Sequence, residues 1–125
     1  MNATLMAKTA YAAPGVPTRT PRGTEYEIFA RITHRLQTAR DLGPLGFSAL
    51  ARAIYDNRRL WTALAADVAD PENKLPAPLR ARLFYLAEFT QSHSRQILSG
   101  KESVDILIEI NTAIMRGLRQ EGNNA

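Results

Sequence analysis

Apolar residues recur at steps of three and four along four stretches of the chain, the spacing of amphipathic helices. In the first, Thr24-x-x-Glu27 reads as a capping box, and Tyr26, Phe29, Thr33 and Leu36 form a stripe that Ile28 and Ile32 widen. Gly43-Pro44 predicts its end. The second stretch runs from about Leu45 to Ala69 along Leu50, Ile54, Asn57, Trp61, Leu64 and Val68, and a break near Tyr55–Asn57 is left open. Asp70-Pro71-Glu72-Asn73 predicts a turn. The third helix starts around Pro76–Pro78, follows Leu79, Leu83, Leu86, Thr90, His93 and Ile97, and stops at Gly100.

The fourth helix, from Ser103 to about Gln120, has a different pattern. Asp105, Glu109, Thr112, Arg116 and Arg119 make one narrow polar stripe, and nearly every other position is apolar. A helix apolar over most of its circumference is expected to be buried from several sides, at the centre of a bundle or against a partner. No alternating strand pattern, internal repeat or low-complexity segment appears. The prediction is an all-α fold, a small helical bundle of four principal helices. Residues 1–23, broken by Pro14, Gly15, Pro17 and Pro21, form a loose N-terminal arm. Residues 24–120 form the helical domain, and residues 121–125 a disordered tail.

Composition narrows the picture. At 125 residues the chain is one domain, and it has no cysteine for disulfide or thiol chemistry. No apolar run approaches the roughly 18 residues of a membrane span. Ala10-Tyr11-Ala12 resembles a small-x-small cleavage site, but Lys8 sits where a signal peptide is uncharged, so none is expected. A cytoplasmic location fits these features. The net charge of +4 suggests nucleic acid at first. Three of those charges, Lys8, Arg19 and Arg22, lie before any acid, and in the rest of the chain arginines are interleaved with Asp and Glu. RNA binding is therefore not the favoured reading.

Candidate chemistry is sparse. His34 and His93 have no second ligand one turn away on their own helices, and Asp67 and Asp70 flank a helix end as capping and turn acids. No metal or other cofactor is expected. His93 lies on an apolar stripe and reads as a core histidine bonded to a neighbour. Ser92-His93-Ser94 is no nucleophile–base pair, because consecutive helical residues diverge. No catalytic constellation emerges, and the expectation is a protein that is not an enzyme.

What remains is packing and surface. In Asn57-Arg58-Arg59-Leu60-Trp61 the amide, Leu60 and the only tryptophan share the apolar face, while the arginines turn away from it. Asn57 and Trp61 are assigned to the core, and Arg58 and Arg59 are candidates for partner contact. Asn111 follows Ile110 on the most apolar helix and needs a buried partner, with Asn57 or His93 as candidates.

Five segments in order resemble the FlaF family, the flagellin-biosynthesis regulators of alphaproteobacteria. They are Ala10-Tyr11; Pro21-Arg22-x-x-Glu25-Tyr26; Asn57-Arg58-Arg59-Leu60-Trp61; Asn73-x-Leu75-Pro76-x-x-Leu79-Arg80-Ala81; and Leu107-Ile108-x-Ile110-Asn111-x-x-Ile114-Met115-x-Gly117-Leu118. Gly23 departs from the pattern, where the family more often has an acid. The resemblance implies a cytosolic helical protein needed for flagellin production and flagellum assembly. It would act after transcription, opposite a companion regulator, FlbT, or as a flagellin export chaperone.

A bundle with an over-apolar helix and a detachable arm suits the chaperone version, holding an amphipathic flagellin helix in a groove. The last helix and the Asn57–Trp61 face are expected to form that groove, with Tyr11 of the arm covering part of it in the free protein. Partner contact is assigned to Tyr11, Arg22, Arg58, Arg59, Leu107, Ile110, Ile114 and Met115, and a structural polar or core role to Asn57, Trp61, His93 and Asn111. Flagellin is the expected partner and FlbT a second. The alternatives are translational control by binding flagellin messenger RNA through Arg31, Arg35, Arg58, Arg59, Arg80 and Arg82, or an adaptor that binds only FlbT.

Overall fold

The computed structural model describes residues 21–124, with side chains for residues 25–118. They form four helices, α1 (Pro21–Asp41), α2 (Phe47–Ala69), α3 (Ala77–Leu98) and α4 (Asp105–Asn124), with a 3-10 turn (Gly43–Gly46) between α1 and α2. No strand occurs among the described residues. The fold is a small all-α bundle, as the periodicity predicts.

Each connection has a physical cause. Gly43 takes φ +62°, a left-handed conformation that stops α1. Gly46 then brings the chain hard against α1. A Cβ there would lie 2.5 Å from the Ala39 carbonyl oxygen and 2.7 Å from the Leu42 Cβ. In the α2–α3 turn Asn73 donates to the Asp67 carboxylate at 3.2 Å and accepts from the Leu75 amide at 3.0 Å. Asp67, an expected capping acid, is thus a buried brace for the turn. Gly100, at φ +81°, closes α3 with the Lys101 amide bonded to the Gln96 carbonyl at 2.9 Å, the Schellman arrangement. Ser103 caps α4, its hydroxyl accepting from the Asp105 amide at 3.1 Å.

Several boundaries differ from the sequence prediction. α1 already includes Pro21–Gly23, so Thr24 lies within the helix; proline fits a first turn, where its missing N–H is not needed. The other residues assigned to the arm lie outside those described. α2 starts at Phe47 because the 3-10 turn consumes residues 43–46, and it continues unbroken through Tyr55–Asn57. α4 runs to Asn124, beyond the helix end expected near Gln120.

The helices pack as neighbours in an up-and-down order. α1 lies against both α2 and α4, and α3 lies against α2. The Arg35 guanidinium meets Asp56 at 2.9 Å across α1–α2, and Arg40 meets Asp105 at 3.1 Å across α1–α4. Asp41 first, and then Asp105, hold the exposed Arg40 guanidinium above its ordinary pKa. The core centres on Ile32, Leu36, Ile54, Trp61 and Leu107, all essentially free of solvent. Each contributes roughly 1.5–3 kcal/mol by burial.

Of the two placements that the breadth of apolar residues allows for α4, the centre of the bundle is not the one observed. α4 packs chiefly on α1, at the edge of the bundle, and α1 and α2 hold the middle. Val104, Leu107, Ile108 and Asn111 are buried, whereas Ile106, Ile110, Ile114 and Met115 are only half-buried.

Candidate functional site

Two kinds of site emerge from these packed faces, a buried polar junction and an incompletely covered apolar flank.

The junction joins α2 and α4. Trp61 donates its indole N–H to Asn111 Oδ1 at 3.0 Å, and Asn111 Nδ2 donates to Asn57 Oδ1 at 2.8 Å. Phe29 of α1 meets the Trp61 ring edge-on, with centroids 5.9 Å apart. All three polar residues are 0% exposed. An indole N–H can only donate, so it turns the Asn111 oxygen toward Trp61 and the Asn111 amide toward Asn57. Asn57 Nδ2 then finds no acceptor among the described residues. This face is filled by its own chain, so the Asn57–Trp61 segment forms no part of an open groove. The junction fixes helix register, a role well suited to buried polar groups.

The expected partner contacts fall in different places. Tyr11 and the side chain of Arg22 lie outside the described residues. Leu107 is 1% exposed and belongs to the core, which corrects its placement in a groove. Arg58 donates to Gln91 Oε1 at 2.8 Å, and Gln91 donates back to the Arg58 carbonyl at 3.1 Å. Sequence reading missed Gln91, which the polar α3 face did not single out. Arg59 is exposed and lies over the Tyr55 ring at 5.9 Å. His93 is half-buried rather than in the core: it stacks on Phe89 and its Nε2 lies 3.2 Å from the Ser103 carbonyl, so it serves the α3–α4 connection and not Asn111.

Ile110, Ile114 and Met115 stay partly accessible on α4. Ile106, Ile110 and Ile114 stand one above the other at intervals of four, flanked by the exposed Ala113 and Gly117. α3 packs chiefly on α2, and Ile110 and Ile114 rest partly against the core cluster while remaining incompletely covered. Of the six arginines of the RNA reading, Arg35 is held by Asp56, Arg58 by Gln91, and Arg80 is half-buried, while Arg31, Arg59 and Arg82 are exposed.

No group of three or more His, Cys, Asp or Glu able to hold a metal ion occurs among the described residues. Nor is any described helix long and apolar enough to cross a membrane. Fold and site together define a small all-α bundle whose notable features are a polar register lock and a partly open apolar helix flank. The family model described as flagellar protein FlaF matches residues 7–118, nearly the whole chain, and the chain belongs to the FlaF family. No curated protein and no solved structure matches it.

Proposed function

We propose that this FlaF-family protein acts in the cytoplasm as a non-enzymatic, post-transcriptional regulator of flagellin synthesis and flagellum assembly, and that it does so as an export chaperone for flagellin. In this reading the α4 flank of Ile106, Ile110 and Ile114, with Ala113 and Gly117 beside them, receives an apolar helix face of flagellin. The small residues let a partner backbone approach closely, and the isoleucines supply apolar area.

The observation that carries the reading is the incomplete burial of that isoleucine ladder on an edge helix. Leu107 and the Asn57–Trp61 junction support the flank from beneath rather than touching the partner. Capture by the tagged full-length protein, offered purified flagellin, purified FlbT and flagellin messenger RNA separately, tests it. Retention of flagellin is the expected result. Retention of FlbT alone would favour an adaptor, and retention of RNA alone a translational regulator.

A further inference from the structure

The α1–α2 hairpin carries a second feature, built from residues other than those of the α4 flank. Six large apolar side chains are exposed among the described residues, and four of them, Leu42, Leu45, Phe47 and Tyr55, lie on this hairpin. Leu45 is 93% exposed at the tip. The tip cannot fold inward, because Gly46 already rests against the Ala39 carbonyl. Its apolar residues are therefore held in place before any partner arrives.

Arginines continue the surface. Arg52 and Arg59 follow on the exposed face of α2, two helical turns or about 10.5 Å apart. The Arg35–Asp56 pair sets the α1–α2 register and so brings Arg31, one turn earlier on α1, level with Arg59–Leu60. Arg31, Arg52 and Arg59 are exposed and make no ion pair among the described residues. Of the acids near this strip, Asp56 is paired with Arg35 and Asp41 with Arg40, and Glu27 precedes Arg31 by one turn of α1, leaving Arg52 and Arg59 as its most open cations. The hairpin thus presents an apolar tip that grades into a cationic strip.

We propose that this hairpin is a docking surface for an acidic amphipathic helix of a partner protein, its apolar end on Leu45 and Phe47 and its carboxylates on Arg31, Arg52 and Arg59. Guanidinium forks match carboxylates, and exposed Tyr and Arg are common anchors at interfaces. A single-stranded nucleic acid fits less well. It needs a series of stacking platforms, whereas this surface exposes two aromatics, Phe47 at the tip and Tyr55, which already carries Arg59 over its ring. A second copy of this chain, joined through the same face, would bring one cationic strip against another.

The test is fluorescence anisotropy with the full-length chain and a labelled synthetic helix, leucines in its first turn and glutamates spaced seven apart thereafter. Leu45→Ser and the double variant Arg52→Ser/Arg59→Ser are each expected to weaken binding by about tenfold or more. Arg82→Ser/Arg95→Ser, which removes equal charge from α3, is expected to change it less than about twofold. All the replaced side chains are exposed, so unchanged melting temperatures verify the fold of each variant. The proposal is overturned if the peptide does not bind, if the α3 control loses as much affinity, or if a lysine-for-glutamate peptide binds equally well. It is also overturned if an oligouridylate binds this face more tightly, or if sedimentation reveals a dimer that occupies it.

Discussion

Trp61 and Asn111 are fifty residues apart and share a buried hydrogen bond of 3.0 Å. Through it the only tryptophan of the chain orients both asparagines of the junction. Asn111 serves two partners and Asn57 one. Asn111→Leu leaves the indole N–H and the Asn57 oxygen both buried and unpaired, at about 1–3 kcal/mol each. Asn57→Leu strands a single Asn111 N–H and removes an amide nitrogen that has no acceptor among the described residues. Urea unfolding followed by Trp61 fluorescence is expected to rank Asn111→Leu as the more damaging by roughly 1–2 kcal/mol. Equal losses would mean that the junction does not orient its amides in this way.

The glycines make opposite predictions. Gly46→Ala forces a methyl to within 2.5 Å of a backbone carbonyl, which cannot swing aside as a flexible side chain would. We expect a loss of about 1–3 kcal/mol. Gly117 lies within α4 with nothing within 4 Å of a would-be Cβ. There Gly117→Ala is expected to stabilise the fold by about 0.5–1 kcal/mol. If the α4 flank receives a helix, the same change weakens flagellin binding, because the added methyl keeps the partner backbone away. Thermal melts and binding assays on one preparation check both halves.

The α2–α3 turn accounts for the Asn73-x-Leu75-Pro76 motif without any appeal to a partner. Asn73 joins Asp67 to the Leu75 amide, and its own amide N–H bonds the Asp70 carbonyl at 2.9 Å. Asn73→Ala deletes the two side-chain bonds and should cost about 1–2 kcal/mol, leaving flagellin binding unchanged in the folded fraction. Chemical denaturation alongside a binding assay separates the two effects.

Much of this arrangement was legible in the chain. The four helices follow from apolar spacing, and the placement of Asn57, Trp61 and Asn111 on apolar stripes pointed to a buried polar contact. The position of α4 was not legible. A row of isoleucines reads the same whether neighbours cover a helix on every side or leave one flank incompletely covered, and only topology decides. Local spacing was equally silent on Arg58, whose partner Gln91 lies on another helix. Leu107 and Ile110 look alike in sequence, yet a rotation of three residues separates a core side chain from a half-exposed one. The 3-10 corner was also hidden, because Gly43-Pro44 marks a stop but not the path that Gly46 then permits.

The central claim is that the half-buried flank of α4 receives flagellin. Ala113 is its most discriminating position, since it is exposed in the free protein and lies beside Ile110 and Ile114. Titration calorimetry of purified flagellin into the full-length protein should compare the wild type with Ala113→Glu and with Tyr85→Glu, an exposed control on α3. The account predicts that Ala113→Glu weakens binding by about tenfold or more at an unchanged melting temperature, while Tyr85→Glu binds as the wild type does. Undiminished binding by a folded Ala113→Glu protein would contradict it.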